Sequence, residues 1–329
     1  MYEEGIMLTV GTLYDGTPVS YDMKKLPHLL IAGKKGKEYL SSLLLEAARE
    51  NAPSDLRLLI TDLGEELNVL PHLLSPVITG EKEVENALLW LTQEMDRRFR
   101  LLRDAGVYNV DTYNGKTKAR LSYLIAAIGS LENTSKSAKE RIAMLAAKAR
   151  ATGIYLAVCA EAPDTKVVTD IIKANVPSRA TFRTETRAGS RVMLDIYGAE
   201  LLEENELLFL PIGRREPQLL SVSLPCKEER SDAAADICGK YPKAEEISIA
   251  PMQEKEPSLL ITALKVAARQ DGISIASLQR SLHLGFKKAA SLMEEMEKAG
   301  YISPYEGSGQ RKLIISKDEL IKLTEEENI

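Results

Sequence analysis

The chain has 329 residues, 44% of them hydrophobic and 28% charged, with a formal net charge of −5; that length suits two or three domains, and the composition is that of a soluble globular protein. Its three cysteines (Cys159, Cys226, Cys238) lack metal-type spacing, its three histidines exclude a histidine-rich metal site, and no apolar run nears the roughly 20 residues that span a bilayer. With acidic residues where a signal peptide needs basic ones, in "MYEEGIMLTV", a cytoplasmic protein is expected.

In chain order, the first strong element is a strand at 28–33, "HLLIAG", which stops in a Lys/Gly cluster before a helical stretch over 37–50. Strand, glycine turn and helix N-terminus are the layout of a phosphate loop. The signature G-x-x-x-x-G-K-[ST], which supplies a backbone nest, a lysine and a hydroxyl for phosphates and Mg²⁺, is not there. Further strands are expected at 56–62, 121–129, 153–160, 179–184 and 206–211, several of them apolar on consecutive residues, as in strands covered on both faces. Helical patterns lie between them at 81–105, 134–151, 164–174 and 188–197. In the first, Val84, Leu88, Leu91, Met95, Phe99 and Leu102 recur at spacings of three and four. The alternation predicts an α/β fold, a doubly wound, mostly parallel sheet within residues 1–239.

Residues 240–256, "KYPKAEEISIAPMQEKE", read as a linker. Residues 257–329 form a unit of their own: two helices, a turn at Leu284-Gly285, a third helix, then two extended pieces joined by "GSGQ". This is the order of a winged helix-turn-helix. The third helix begins "GFKKAASL", which puts Lys287 and Lys288 where a recognition helix meets base edges and phosphates. Ala290, Leu292, Met293 and Met296 are its expected buried stripe. Gln279 and Arg280 on the preceding helix, and Gln310, Arg311 and Lys312 in the wing, are further candidate DNA contacts. A lysine on phosphate adds salt-dependent, sequence-neutral affinity, whereas Lys or Gln on a base edge adds preference. A protein-docking role for this unit is the alternative.

Over nearly its whole length the chain resembles the motor region of the FtsK/SpoIIIE family of DNA translocases. The likeness is carried by "DGTPVSYDMKKLPHLLIAG", by Glu94-Met95-Asp96-Arg97-Arg98, and by "IAMLAAKARATGIYLAVCAEAP". It is closest over residues 171–202, which keep Lys173-Ala174-Asn175, Pro177, Arg179, Ser190-Arg191, Leu194-Asp195 and Gly198-Ala199. The C-terminal unit is similar to the family's winged-helix γ domain, which reads short oriented sequences. The resemblance implies a RecA-like, P-loop-type core, a hexameric ring around double-stranded DNA, and ATP hydrolysis between subunits.

The chemistry departs from the family. With Gly33 and Gly36 on the loop's glycines, Glu38 stands at the next glycine, Tyr39 at the lysine and Leu40 at the Ser/Thr. Gly129 and Ser130 occupy the positions of the catalytic acidic pair, with Glu132 just beyond. Ala160-Glu161-Ala162-Pro163 replaces the family's Thr-Gln-Arg-Pro step. Asp62 remains, without the lysine that follows it in the family. Loss at three steps predicts a pseudo-ATPase, since ammonium, metal ligand and acidic pair are all missing. Rescue would require Lys34, Lys35 or Lys37, or a register shift that presents Ser41 or Ser42. Arg191 and Arg179 remain where the family has basic residues near subunit interfaces. Arg191 could act on a neighbour's nucleotide; packing or salt bridging is the competing reading.

The expectation is a double-stranded-DNA-binding protein that does not hydrolyse ATP. No cofactor is expected, ATP and Mg²⁺ entering only with a rescued site. Double-stranded DNA is the expected partner, with further copies of the chain or an active relative in a mixed ring. An active translocase with an unorthodox site, and an adaptor docking on a true translocase, are the alternatives.

Overall fold

The structure, a computed structural model, describes residues 5–25, 27–249, 259–270, 272–305, 307, 310–316 and 319, with backbone alone at 269 and 270. It divides into two compact units, Met1–Met252 and Gln253–Ile329.

The first unit is built on one sheet of nine strands: β1 (Met7–Thr12), β2 (Pro18–Asp22), β3 (His28–Ala32), β4 (Leu56–Thr61), β5 (Tyr123–Ile128), β6 (Ile154–Ala160), β7 (Ser178–Thr181), β8 (Glu206–Leu210) and β9 (Gln218–Ser221). Their order is β2-β1-β9-β8-β7-β3-β6-β5-β4. From β7 to β4 all neighbours are parallel, which is the sheet the alternation predicts. Strands β8, β9, β1 and β2 extend it with antiparallel pairs. In chain order the helices are α1 (Gly36–Glu50), α2 (Glu81–Asp104), α3 (Val110–Lys116), α4 (Lys136–Lys148), α5 (Asp170–Asn175), α6 (Arg187–Leu194) and α7 (Lys227–Lys240). Helices α1 and α7 supply the core on one face of the sheet, and α2, α4, α5 and α6 that on the other. The central strands are buried throughout, which explains their continuous apolar runs.

Two predicted helices are shorter than their patterns. The stretch 164–174 is helical only from Asp170, because the Asp164 carboxylate accepts from the Lys166 and Val167 amides (2.7 and 2.8 Å) and holds a turn there. The stretch 188–197 stops at Leu194, where Asp195 takes a left-handed conformation (φ 62°). Part of the predicted linker is ordered against the core. Ala244 and Ile247 donate backbone hydrogen bonds to Pro71 and Leu74 carbonyls (3.0 and 2.6 Å). The Arg57 guanidinium joins them, bonding the carbonyls of His72, Leu73 and Glu245. Residues 250–256 of that linker lie outside the described residues.

Two motif residues are structural. Arg98 is 4% exposed. It pairs with Glu94 (2.7 Å) and donates to the carbonyls of Ser122 and Thr152, tying α2 to the entrances of β5 and β6. His28, fully buried, accepts the Leu156 amide at Nδ1 (3.0 Å). Burial pushes its pKa down to about 4.

The second unit holds α8 (Leu259–Gln270), α9 (Ile275–Leu282) and α10 (Phe286–Lys298). Antiparallel bridges Ile273–Arg311 and Ile302–Leu313 form the wing. Ala263, Leu264, Leu278, Leu292, Met293 and Met296 are among its core residues, and Ala289 is buried in place of the predicted Ala290. Among the described residues no helix is long and apolar enough to cross a membrane.

Candidate functional site

The turn after β3 is a strand–glycine–helix junction. Gly33 has φ 100°, and a Cβ there would lie 2.9 Å from the Phe182 Cβ and 3.0 Å from the Arg183 carbonyl. The Gly36 amide donates to the Gly33 carbonyl (2.9 Å), and a Cβ on Gly36 would meet the Cys159 sulfur at 2.7 Å. Both glycines are therefore fixed by backbone geometry and close packing alone. A phosphate is not needed to explain them.

Beyond Gly36 the side chains turn away from the loop. Tyr39 is 2% exposed; its hydroxyl donates to the Val10 carbonyl (2.8 Å) and its ring stands edge-on to Phe182, 5.2 Å between centroids. Burial raises the phenol's pKa. Leu40 is buried in the same apolar layer, and Ser41 is buried as well. The Ser42 hydroxyl donates to the Glu38 carbonyl (2.9 Å). The positions of the lysine and the metal hydroxyl thus point into the core between α1 and the sheet. One carboxylate oxygen of Glu38 is buried without a hydrogen-bond partner among the described residues.

The loop lysines face acids. Lys34 pairs with Glu185 (2.9 Å) and Lys35 with Glu204 (3.0 Å), across a cleft of about 370 Å³ lined also by Phe182 and Arg183. Both pairs are largely exposed and screened by solvent, so neither would bar an anion. Lys37 is half-buried. Burial raises the pKa of Asp62 and the Lys37 charge opposes that rise.

At the end of β5 the first of the two acidic positions is closed by backbone. The Gly129 amide donates to the Thr61 carbonyl (2.8 Å). A Cβ on Gly129 would lie 2.5 Å from the Asp62 carbonyl oxygen and 2.6 Å from that of Thr61. Ser130 is buried and donates to Glu132 (3.1 Å), whose other oxygen accepts the Ala162 amide (3.0 Å). Glu132 therefore fastens the 160–163 turn. Among the described residues no group of three or more His, Cys, Asp or Glu could hold a metal ion.

The segment 173–199 forms a clasp. Asp195 accepts from Lys173 (2.8 Å) and Arg179 (3.0 Å), and Arg179 also bonds the Met193 carbonyl (2.8 Å). The Ser190 hydroxyl donates to the Ile196 carbonyl (2.9 Å) and accepts the Ala199 amide (3.1 Å). Arg179 is thus a structural ion-pair residue. Arg191 is exposed beside Tyr197, with its guanidinium 3.2 Å from the hydroxyl.

In the winged unit, Lys287, Lys288 and Lys312 are exposed, as is Arg280, which bonds the Ala276 carbonyl (3.3 Å); Gln279 is half-buried. Arg311 differs from them. It pairs with Glu297, its guanidinium stands 5.5 Å from the Tyr305 ring centroid, and its backbone forms the bridge to Ile273. To reach a phosphate it would have to leave Glu297. Phe286, the first residue of α10, is 64% exposed and is absent from the candidate contacts that residue type alone picks out. The signal was available: an apolar side chain lying ahead of the helix's buried stripe.

The profile described as "FtsK/SpoIIIE family" matches residues 4–130, and that described as "Ftsk gamma domain" matches residues 254–316. The chain is 33% identical to the DNA translocase FtsK of Clostridium tetani, over 97% of this chain and 46% of the relative. It is likewise 33% identical to the DNA translocase SftA of Bacillus subtilis, over 95% of this chain and 35% of the relative. The chain therefore spans less than half the length of these curated relatives. Among solved structures, the conjugation coupling protein TcpA of pCW3 with ATPγS aligns at a TM-score of 0.60, with 24% identity and 71% of each chain covered. ATPases 2 and 3 of EssC from Geobacillus thermodenitrificans align at 0.63, with 17% identity, 83% of this chain and 57% of that one. At these identities the likeness is one of fold.

Proposed function

The chain belongs to the FtsK/SpoIIIE family, and from that premise we propose that it binds double-stranded DNA through its winged unit without hydrolysing ATP. The observation that carries the second half is the direction of the α1 side chains: Tyr39 and Leu40 are core residues, so neither of these two positions turns an ammonium or a metal-ligating hydroxyl toward the loop. The closed backbone around Gly129 supports it, since a carboxylate at that position has no room for its Cβ. Phosphoryl transfer depends on those parts for charge stabilisation. The DNA reading is supported by relatives named as DNA translocases, by the γ-domain match, and by exposed Lys287, Lys288 and Lys312 on the recognition helix and wing. Assembly with further copies or with an active relative belongs to the same proposal, with Arg191 as the exposed cation offered to a neighbour.

Calorimetric titration with Mg²⁺–ATP tests the nucleotide half: no saturable binding is expected, and saturation in the micromolar range overturns it. That second outcome would favour an active translocase, for which Lys37, near Asp62 and in no ion pair found among the described residues, is the specific support. Gel shift with duplex DNA at two salt concentrations tests the other half. Affinity should fall as salt rises; no binding at either concentration would favour the adaptor reading.

A further inference from the structure

Helix α10 carries most of its charges against its own dipole, Lys298 in the last turn being the exception. Lys287 and Lys288 stand in its first turn, beside the positive end, while Glu294, Glu295 and Glu297 occupy its second half, toward the negative end. Each such placement is unfavourable for the isolated helix. An external polyanion at the first turn reverses the sign there, and the acidic half would be repelled by the same polyanion. Charge complementarity therefore admits DNA at the first turn and keeps the remainder of the helix clear of the phosphates.

At that turn stands Phe286. Its ring lies outside the winged unit's apolar core, which on this helix is built from Ala289, Leu292, Met293 and Met296. At 64% exposure it adds little to that core. In the major groove the apolar feature that distinguishes one base from the others is the thymine C5-methyl, and Phe is among the side chains that contact it. We infer that Phe286 is a specificity-determining residue: its ring packs on a thymine methyl while Lys287 and Lys288 hold the flanking phosphates. The inference rests on the DNA-binding reading proposed above and adds to it a base preference at a position with no hydrogen-bonding group.

The full chain is titrated onto two duplexes of one A·T-rich sequence, the first with thymine and the second with uracil at every thymine position, so that only the methyl differs. The wild-type chain should bind the thymine duplex more tightly, by about fourfold for each methyl covered. Phe286→Ala should bind both duplexes equally and keep the wild-type salt dependence. Phe286 is exposed, so this variant is not expected to compromise folding. Lys287→Ala/Lys288→Ala should weaken both duplexes alike with a shallower salt slope. Equal wild-type affinity for both duplexes overturns the inference while leaving DNA binding intact. So does undiminished discrimination by Phe286→Ala, which would assign the methyl to another residue. Binding to neither duplex removes the DNA reading itself, and with it this inference, in favour of a protein-docking surface.

Discussion

Replacing Tyr39 with the family's lysine is the sharpest perturbation of the degenerate loop. If residue 39 is a core position, Tyr39→Lys must bury an ammonium in the layer formed by α1, β1 and Phe182, at a site 2% exposed. The side chain would instead be held neutral, and at pH 7 deprotonating a lysine of ordinary pKa costs about 4.6 kcal/mol, from about 3.4 pH units at 1.36 kcal/mol each. Losing the phenol bond to Val10 adds to this. The register shift between Thr9 and Gly11 leaves Val10 without a cross-strand partner, so its carbonyl depends on Tyr39. Tyr39→Phe isolates that part and should cost about 1–3 kcal/mol. Trp90, the single tryptophan, packs against the core of the first unit, so urea unfolding followed by its fluorescence reads the relevant transition. The lysine variant should also regain stability as pH rises, because its native state binds fewer protons than its unfolded state. A Tyr39→Lys protein within about 1 kcal/mol of wild type, with no such pH slope, would mean that the side chain swings out to the loop, and the reasoning would be wrong.

Two further outcomes follow from the core unit. Arg98→Ala should destabilise it, because the carbonyls of Ser122 and Thr152 lose their donor at about 1–3 kcal/mol each, while Glu94 keeps its two bonds from Arg97; adding Glu94→Ala should therefore recover little of the loss, as unfolding of the two variants would reveal. The pKa of His28 lies at about 4 in the fold, below its unfolded value of 6.5. As pH falls from about 6.5 toward 4, the unfolded state takes up the proton first and stability drops, by about 2 kcal/mol at pH 5. Above pH 6.5 both states are neutral and the group contributes nothing to the slope. Denaturation midpoints of wild type and His28→Gln compared between pH 7 and 5 measure the difference.

Strands β3 to β6 were legible because burial on both faces writes itself as consecutive apolar residues. Strands β1, β2 and β9 were not, since Thr, Ser, Pro and Gly fill many of their positions; the Asp15-Gly16 turn between the first two was the unused signal. Helix α7 was lost for a related reason: only Arg230, Ala234 and Ile237 of it are buried, too few to stand out as a stripe. At the site, the positions of Gly33, Tyr39, Leu40 and Gly129 could be assigned from sequence, but not where they point. That Tyr39 satisfies a β-bulge carbonyl depends on Val10, 29 residues away. That Arg311 serves Glu297 depends on a hairpin folding back onto α10. Such pairings are tertiary, and a linear pattern of residue types carries no record of them.

If the chain does not hydrolyse ATP, as proposed, the carbonyls of Thr61 and Asp62 around Gly129 also bear on how readily that chemistry could be installed. Restoring a lysine at Tyr39 gains nothing without a hydroxyl at Leu40, and both gain nothing while no acid can stand at Gly129. That acid in turn cannot be introduced until the end of β4 moves aside. On the proposed reading, a change at Tyr39 or at Gly129 taken singly would strain the packing before it could supply a working part, so the order of substitutions would matter as much as their identity.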